Sequence, residues 1–207
     1  MNLRRWLEWG GYAAGAVLIA FGIAVIVLAL GGRSTVQDSL EQEKIVGTPD
    51  MTPAAIKEEA EQAGLKDVDL PSCSVAGKAV DGGTRARCFA QYMRIHALEA
   101  TGGLTYAEMP RYASPDGKGT NDAAKASKGP NGRPLDNQAR NVWITETALA
   151  TALNVSYMAE QLSLFSLVVG IALLLAGVGF IVIAASGAIR RVDTAGAPRG
   201  AEVPSTG

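Results

Sequence analysis

Apolar and polar positions are segregated along this chain. Gly10–Leu30, GGYAAGAVLIAFGIAVIVLAL, contains no charged residue, and Leu162–Ala185, LSLFSLVVGIALLLAGVGFIVIAA, contains none either. At ~1.5 Å per residue the first block, about 21 residues, reaches ~31 Å as a helix, the thickness of a bilayer's hydrocarbon core. The second block, about 24 residues, is long enough to cross with some tilt. The pattern therefore predicts two transmembrane helices, residues 10–30 and 162–186. Around them lie a short N-terminal segment 1–9, an intervening domain 31–161 of mixed polarity, and a tail 187–207. Trp6, Trp9 and Tyr12 stand at the start of the first block, where interfacial aromatic rings are expected.

Basic residues set the expected orientation. Arg4 and Arg5 precede the first block, and Arg190, Arg191 and Arg199 follow the second. Arg33 and Lys44 lie among Asp38, Glu41 and Glu43, and no basic residue falls between Arg140 and the second block. The positive-inside rule then places both termini in the cytoplasm and residues 31–161 outside. A cleaved signal peptide is the competing reading of the first block, with Ala29-Leu30-Gly31 as its cleavage site, but signal h-regions run only ~7–15 residues. The small, polar tail RRVDTAGAPRGAEVPSTG reads as disordered.

Between the blocks the local signals are helical. In TPAAIKEEAEQAG, Thr52 is an N-cap, Pro53 the first helical residue and Gly64 the stop. A second helix runs from about Thr84 to Thr101, after Gly82-Gly83. Thr105–Glu108, TYAE, has the form of a capping box opening a short helix. Residues 113–135 are rich in turn formers, including Pro115-Asp116-Gly117 and Asn131-Gly132, and read as a flexible loop. Asp136 is an N-cap, and no Pro or Gly follows until Gly170, which predicts one continuous helix from Asn137 to about Gly187. Ser34–Val46 extends the first span as a stalk if Gly31-Gly32 does not break it. The expected fold class is an all-α membrane protein with a helical, disulfide-clipped domain inserted between its two spans.

Composition narrows the chemistry. A net charge of −1 with no basic stripe argues against nucleic acid. Both cysteines, Cys73 and Cys88, fall in the outer segment, where an oxidising compartment favours a disulfide. Closing that ~15-residue loop would stabilise the fold by ~3 kcal/mol in the chain-entropy treatment. A structural zinc site needs four ligands, and the segment offers two cysteines and one histidine, so no metal and no cofactor is expected. That histidine, His96, lies on a helical arc with Cys88, Phe89, Tyr92, Met93 and Ala100, opposite Arg87, Gln91 and Arg94. It reads as a hydrogen-bonded packing residue in line with Tyr92, with Glu99 as its partner in a pH-sensitive contact. No serine–histidine–carboxylate set is discernible, so no catalytic residue and no enzyme activity is expected. Gly117–Thr120, GKGT, lacks the earlier glycine of a phosphate loop, since position 112 is Tyr. Asn154-Val155-Ser156 is a chance glycosylation match, and Glu58, Glu59 and Glu61 read as a solvated helix face.

Small residues are placed more tellingly. Gly11, Gly15 and Gly22 share one stripe of the first block, and Ser166, Gly170, Gly177 and Ala184 share one of the second. Such stripes let helices approach closely in lipid, either within one chain or between chains.

The stretches LPSCSVAGKAVDGGTRARCFAQYMRIHALEATGGLTYAEMPRY and NVWITETALATALNVSYMAEQLSLFSLVVGIALLL resemble a group of uncharacterised two-span membrane proteins from high-GC Gram-positive bacteria. Some of these carry the label aromatic ring-opening dioxygenase. Non-haem iron oxygenases need two histidines and a carboxylate on an open metal face, and this chain has one histidine. The resemblance thus implies a bacterial plasma-membrane location and no reaction. The sequence reads as an accessory or scaffold protein of the cell envelope, in contact with the lipid bilayer and with a membrane-protein partner or a second copy. The alternative is an extracytoplasmic sensor or small-ligand binder that signals through a partner chain.

Overall fold

The computed structural model describes residues 3–186; the tail read as disordered, 187–207, lies outside the described residues. Four helices follow one another: α1 (Leu3–Gln42), α2 (Pro53–Gln62), α3 (Gly83–Ala100) and α4 (Ala139–Ala185). Among the described residues no strand forms, only isolated bridges such as Val46 with Ala79 and Tyr112 with Thr120. The chain divides into two compact units, Met1–Gly31 with Leu162–Gly207, and Gly32–Gln161.

In the first unit α1 and α4 are both long and apolar enough to cross a membrane. They pack antiparallel along the small-residue stripes. A Cβ on Gly15 would lie 2.7 Å from the Gly177 carbonyl oxygen, one on Gly22 would lie 2.8 Å from that of Gly170, and one on Gly11 would lie 3.1 Å from Ala184 Cβ. The stripes thus face each other within one chain, and at Gly15 and Gly22 only glycine permits the backbone approach. Gly15, Gly22 and Ala29 on α1, and Gly170, Gly177 and Ala184 on α4, recur every seven residues and are buried, the spacing that keeps one seam in register along two helices. Ser166, on the same α4 stripe, is half-buried. Ile19, Ile26, Leu174 and Ile181 flank the seam glycines, while Phe21, Leu28, Phe165, Leu175 and Phe180 are exposed.

The second unit is built around α3, which is buried on two faces. One face sends Cys88, Tyr92, Ile95 and Leu98 into a core with Met51, Ile56 and Ala60 of the α2 region, Val75, Met109 and Trp143. The other sends Ala86 and Ala90 against Leu40, Val80 and Leu153. The small side chains on that second face suit a close approach by helices. α2 forms as its sequence dictates: the Thr52 hydroxyl accepts from Ala55 N–H, Pro53 opens the helix, and Gly64 follows its end at φ +67°.

The structure settles one boundary left open and corrects others. Gly31-Gly32 does not break α1, which continues to Gln42. Asp136 does not cap α4; it bridges to Tyr112, while the Asn137 side chain accepts from Ala139 N–H at 3.1 Å. Thr105–Glu108 makes a turn and no helix, because Pro110 follows too closely to supply a donor. The Glu108 carboxylate still accepts from Thr105 N–H and hydroxyl, at 2.8 and 2.7 Å. Residues 113–135 form a hydrogen-bonded set of turns: Ala113 N–H donates to Leu135, Ser127 N–H to Ala113 and Leu135 N–H to Ser127, each at 2.9 Å.

Candidate functional site

The site is assembled by bracing α3 against the segments before and after α2. Cys73 and Cys88 form a disulfide with a Cα–Cα distance of 6.1 Å. One turn along α3, the fully buried Tyr92 donates its hydroxyl to the Cys73 carbonyl at 2.6 Å. Burial pushes the Tyr92 phenol above its ordinary pKa of 10.0, which keeps it a donor. The adjoining residues hold Met51 in turn, with Ser74 Oγ and Val75 N–H donating to its carbonyl at 3.2 and 3.3 Å. Asp50 is thereby fixed at the entry to α2. Its carboxylate lies below the usual range, chiefly through a hydrogen bond from the Thr48 side chain, with backbone donation and the charge of His96 adding to it against a desolvation cost.

One further turn along α3 lies His96. Its Nε2 is 3.3 Å from Asp50 Oδ2 and 3.3 Å from Glu59 Oε2. One ligand atom from each of the three residues falls within 4.8 Å of the others. The side chains are partly covered, yet Nε2 itself is shut off from solvent and has no hydrogen-bond partner. His96 also lines an apolar pocket of about 660 Å³ with Met51, Phe89, Met93, Glu146 and Leu149. Glu146 is buried, and the Thr147 hydroxyl donates to it at 3.3 Å.

These positions correct the sequence-based expectation. His96 is half-buried at the edge of the core, and its covered nitrogen is not hydrogen-bonded. Glu99 is exposed, and the carboxylates beside His96 are those of Asp50 and Glu59. Glu58 and Glu61 are indeed exposed, whereas Glu59 turns inward. A signal existed for Glu59: it stands three residues after the buried Ile56 and one before the buried Ala60, at the border of α2's apolar face. No local signal marked Asp50. Of the residues grouped with His96, Tyr92 and Cys88 lie on the same helix, one and two turns before it, and the glycine stripes belong to the other unit.

Chemically the trio offers one imidazole nitrogen and two carboxylate oxygens from three separate segments. That set suits a divalent cation or, with the imidazole protonated, a pair of ion contacts. No protein-family model, no curated protein and no solved structure matches the chain. The class defined by its own residues is an all-helical protein with two long apolar helices and a disulfide-clipped helical domain.

Proposed function

We propose that α1 and α4 span a bacterial plasma membrane, with both termini cytoplasmic and residues 31–161 extracytoplasmic, and that the protein is an accessory or scaffold subunit working through protein–protein contact. The arginines outside the two apolar blocks support the orientation. The disulfide fits an oxidising compartment. The observation that carries the interaction reading is an exposed stripe on α4 outside the proposed span. Ile144, Ala148, Thr151, Val155 and Met158 are all exposed and follow the 4-3 spacing of a helix–helix seam. Ile144, Val155 and Met158 are 54%, 57% and 68% exposed, unusual for large apolar residues meant to face water. Tyr106 and Trp143 flank its first turns, around a groove of about 620 Å³. The occupant this spacing fits is an α-helix of a membrane-protein partner.

Affinity purification of the full chain in mild detergent tests the reading. A stoichiometric partner helix protein, lost on Val155→Glu together with Met158→Glu, is the expected result. A chain that purifies alone, identical in wild type and variant, would overturn it, and a second copy on the same stripe would replace the partner with a homodimer. Reporter fusions after Ala113 and Arg191 check the topology, and a cytoplasmic signal from the Ala113 fusion would reverse it.

The alternative, a small-ligand sensor, is favoured by one feature, the apolar pocket beside His96 with the buried Glu146 on its wall. Native mass spectrometry of the purified chain should then find a small molecule lost on Phe89→Ala.

A further inference from the structure

The contact between His96 and its two carboxylates is an odd one for a hydrogen bond. At 3.3 Å each, both distances exceed the usual N–H···O range of ~2.7–3.2 Å. Nε2 is nevertheless covered and directs no hydrogen bond at either oxygen. An imidazole N–H that is buried between two acceptors and satisfies neither is a poor end state. The same distances are natural for a nitrogen lone pair and two oxygens that share a cation. Four-coordinate zinc holds N and O donors at ~2.0–2.2 Å in tetrahedral geometry, which sets neighbouring donors ~3.3–3.6 Å apart.

We propose that Asp50, Glu59 and His96 bind a first-row divalent cation, zinc foremost, through Asp50 Oδ2, Glu59 Oε2 and His96 Nε2. Charge supports it: two carboxylates, a neutral imidazole and a divalent cation sum to zero, the balance that a partly buried site tolerates best. Donor type supports it as well. An imidazole favours zinc and its neighbours over magnesium, which takes oxygen ligands and keeps its waters. Softer cations find no thiolate, since Cys73 and Cys88 are joined to each other. The segments that carry the donors are tied down without a cation: Ser74 holds the Met51 carbonyl next to Asp50, α2 packs on α3 through Ile56 and Ala60, and Tyr92 anchors α3 one turn before His96. Three protein donors leave a coordination position for water or a ligand group, and the pocket that His96 lines has room for either.

The test is calorimetric titration of ZnCl2 into the full chain, purified in mild detergent and stripped with EDTA, beside thermal unfolding with zinc or magnesium. One zinc ion per chain is expected, with an upward shift of Tm in zinc that magnesium does not reproduce. Asp50→Asn and Glu59→Gln, which keep side-chain size, should each weaken zinc by more than ~100-fold, since losing a direct ligand costs more than losing a supporting partner. Cobalt in place of zinc should give the intense visible absorption of a tetrahedral site in the wild type, a readout that does not need the variants to fold. Absence of stoichiometric zinc binding by the wild type would overturn the proposal. So would zinc binding that a chain carrying both Asp50→Asn and Glu59→Gln retains at wild-type strength, or an equal response to magnesium.

Discussion

The carboxylate of Glu160 accepts a hydrogen bond from the backbone N–H of Gly83 at 2.6 Å. Gly83 is the first residue of α3, and the residue before it, Gly82, has no side chain to cap the helix. A side chain 77 positions away therefore supplies the cap and brings negative charge to the positive end of the helix dipole. Glu160 also pairs with Arg33 at 3.3 Å and is only 15% exposed. The approach is so close that a Cβ on Gly83 would sit 2.7 Å from Tyr157 Cα.

Glu160→Ala should therefore destabilise the helical domain by about 1–3 kcal/mol, leaving a covered N–H without a partner. Gly83→Ala should cost a similar amount through the clash with α4. Arg33→Ala should do little, because its side chain is half exposed. Thermal unfolding of the full chain in detergent reports the order, and hydrogen exchange at the Gly83 amide should speed up in Glu160→Ala.

The seam between the apolar helices makes a contrast between two nearby glycines. A Cβ on Gly177 would meet the Gly15 carbonyl oxygen at 2.7 Å, while one on Gly179 would meet nothing within 4 Å. Gly177→Ala should destabilise the helix pair by about 1–3 kcal/mol. Gly179→Ala should be neutral or slightly stabilising, as alanine is the better helix former by ~1 kcal/mol. Unfolding in one detergent, with both variants side by side, checks the difference.

The disulfide and Tyr92 act on the same junction and should not add independently. Replacing Cys73 and Cys88 by serine should cost ~3 kcal/mol in the chain-entropy treatment. Tyr92→Phe should cost ~1–2 kcal/mol by stranding the Cys73 carbonyl. In the Cys-free background the Tyr92→Phe effect should shrink, since the loop carrying that carbonyl is no longer tied down. A double-mutant cycle by denaturant unfolding measures the coupling.

Acid should expose one local contact. Backbone and hydroxyl hydrogen bonds from Thr105 hold the Glu108 carboxyl below its ordinary 4.5. A lowered folded-state pKa stabilises the fold above the ordinary value, and this contribution is lost as pH falls through the lowered one. Thr105→Val removes the hydroxyl bond and should move the Glu108 titration midpoint up toward 4.5, as read by carboxyl NMR.

The four helices were legible along the chain because they are written in local patterns, whereas the capping-box pattern at Thr105–Glu108 gave only a turn. The uncharged blocks, the Thr52-Pro53 start with the Gly64 stop, and the unbroken run after Asn137 each specify a helix without distant partners. The small-residue stripes, with Gly15 and Gly22 on one block and Gly170 and Gly177 on the other, were also readable as positions along the chain. What the stripes could not say is that they face each other, because any two small-residue stripes are mutually compatible; the backbone approaches at Gly15–Gly177 and Gly22–Gly170 decide it. The wheel of α3 placed His96 beside Tyr92 correctly, then assigned it Glu99, a neighbour on its own helix. Only the packing of α2 on α3 brings Glu59 and Asp50 to its ring nitrogen. A helical wheel orders residues along one axis, but a three-segment cluster depends on how separate segments are docked, which here is set by the Cys73–Cys88 bond and the Tyr92 hydroxyl. The cap of α3 by Glu160 is of the same kind, a local need of one helix met by the end of another through a contact that sequence distance hides.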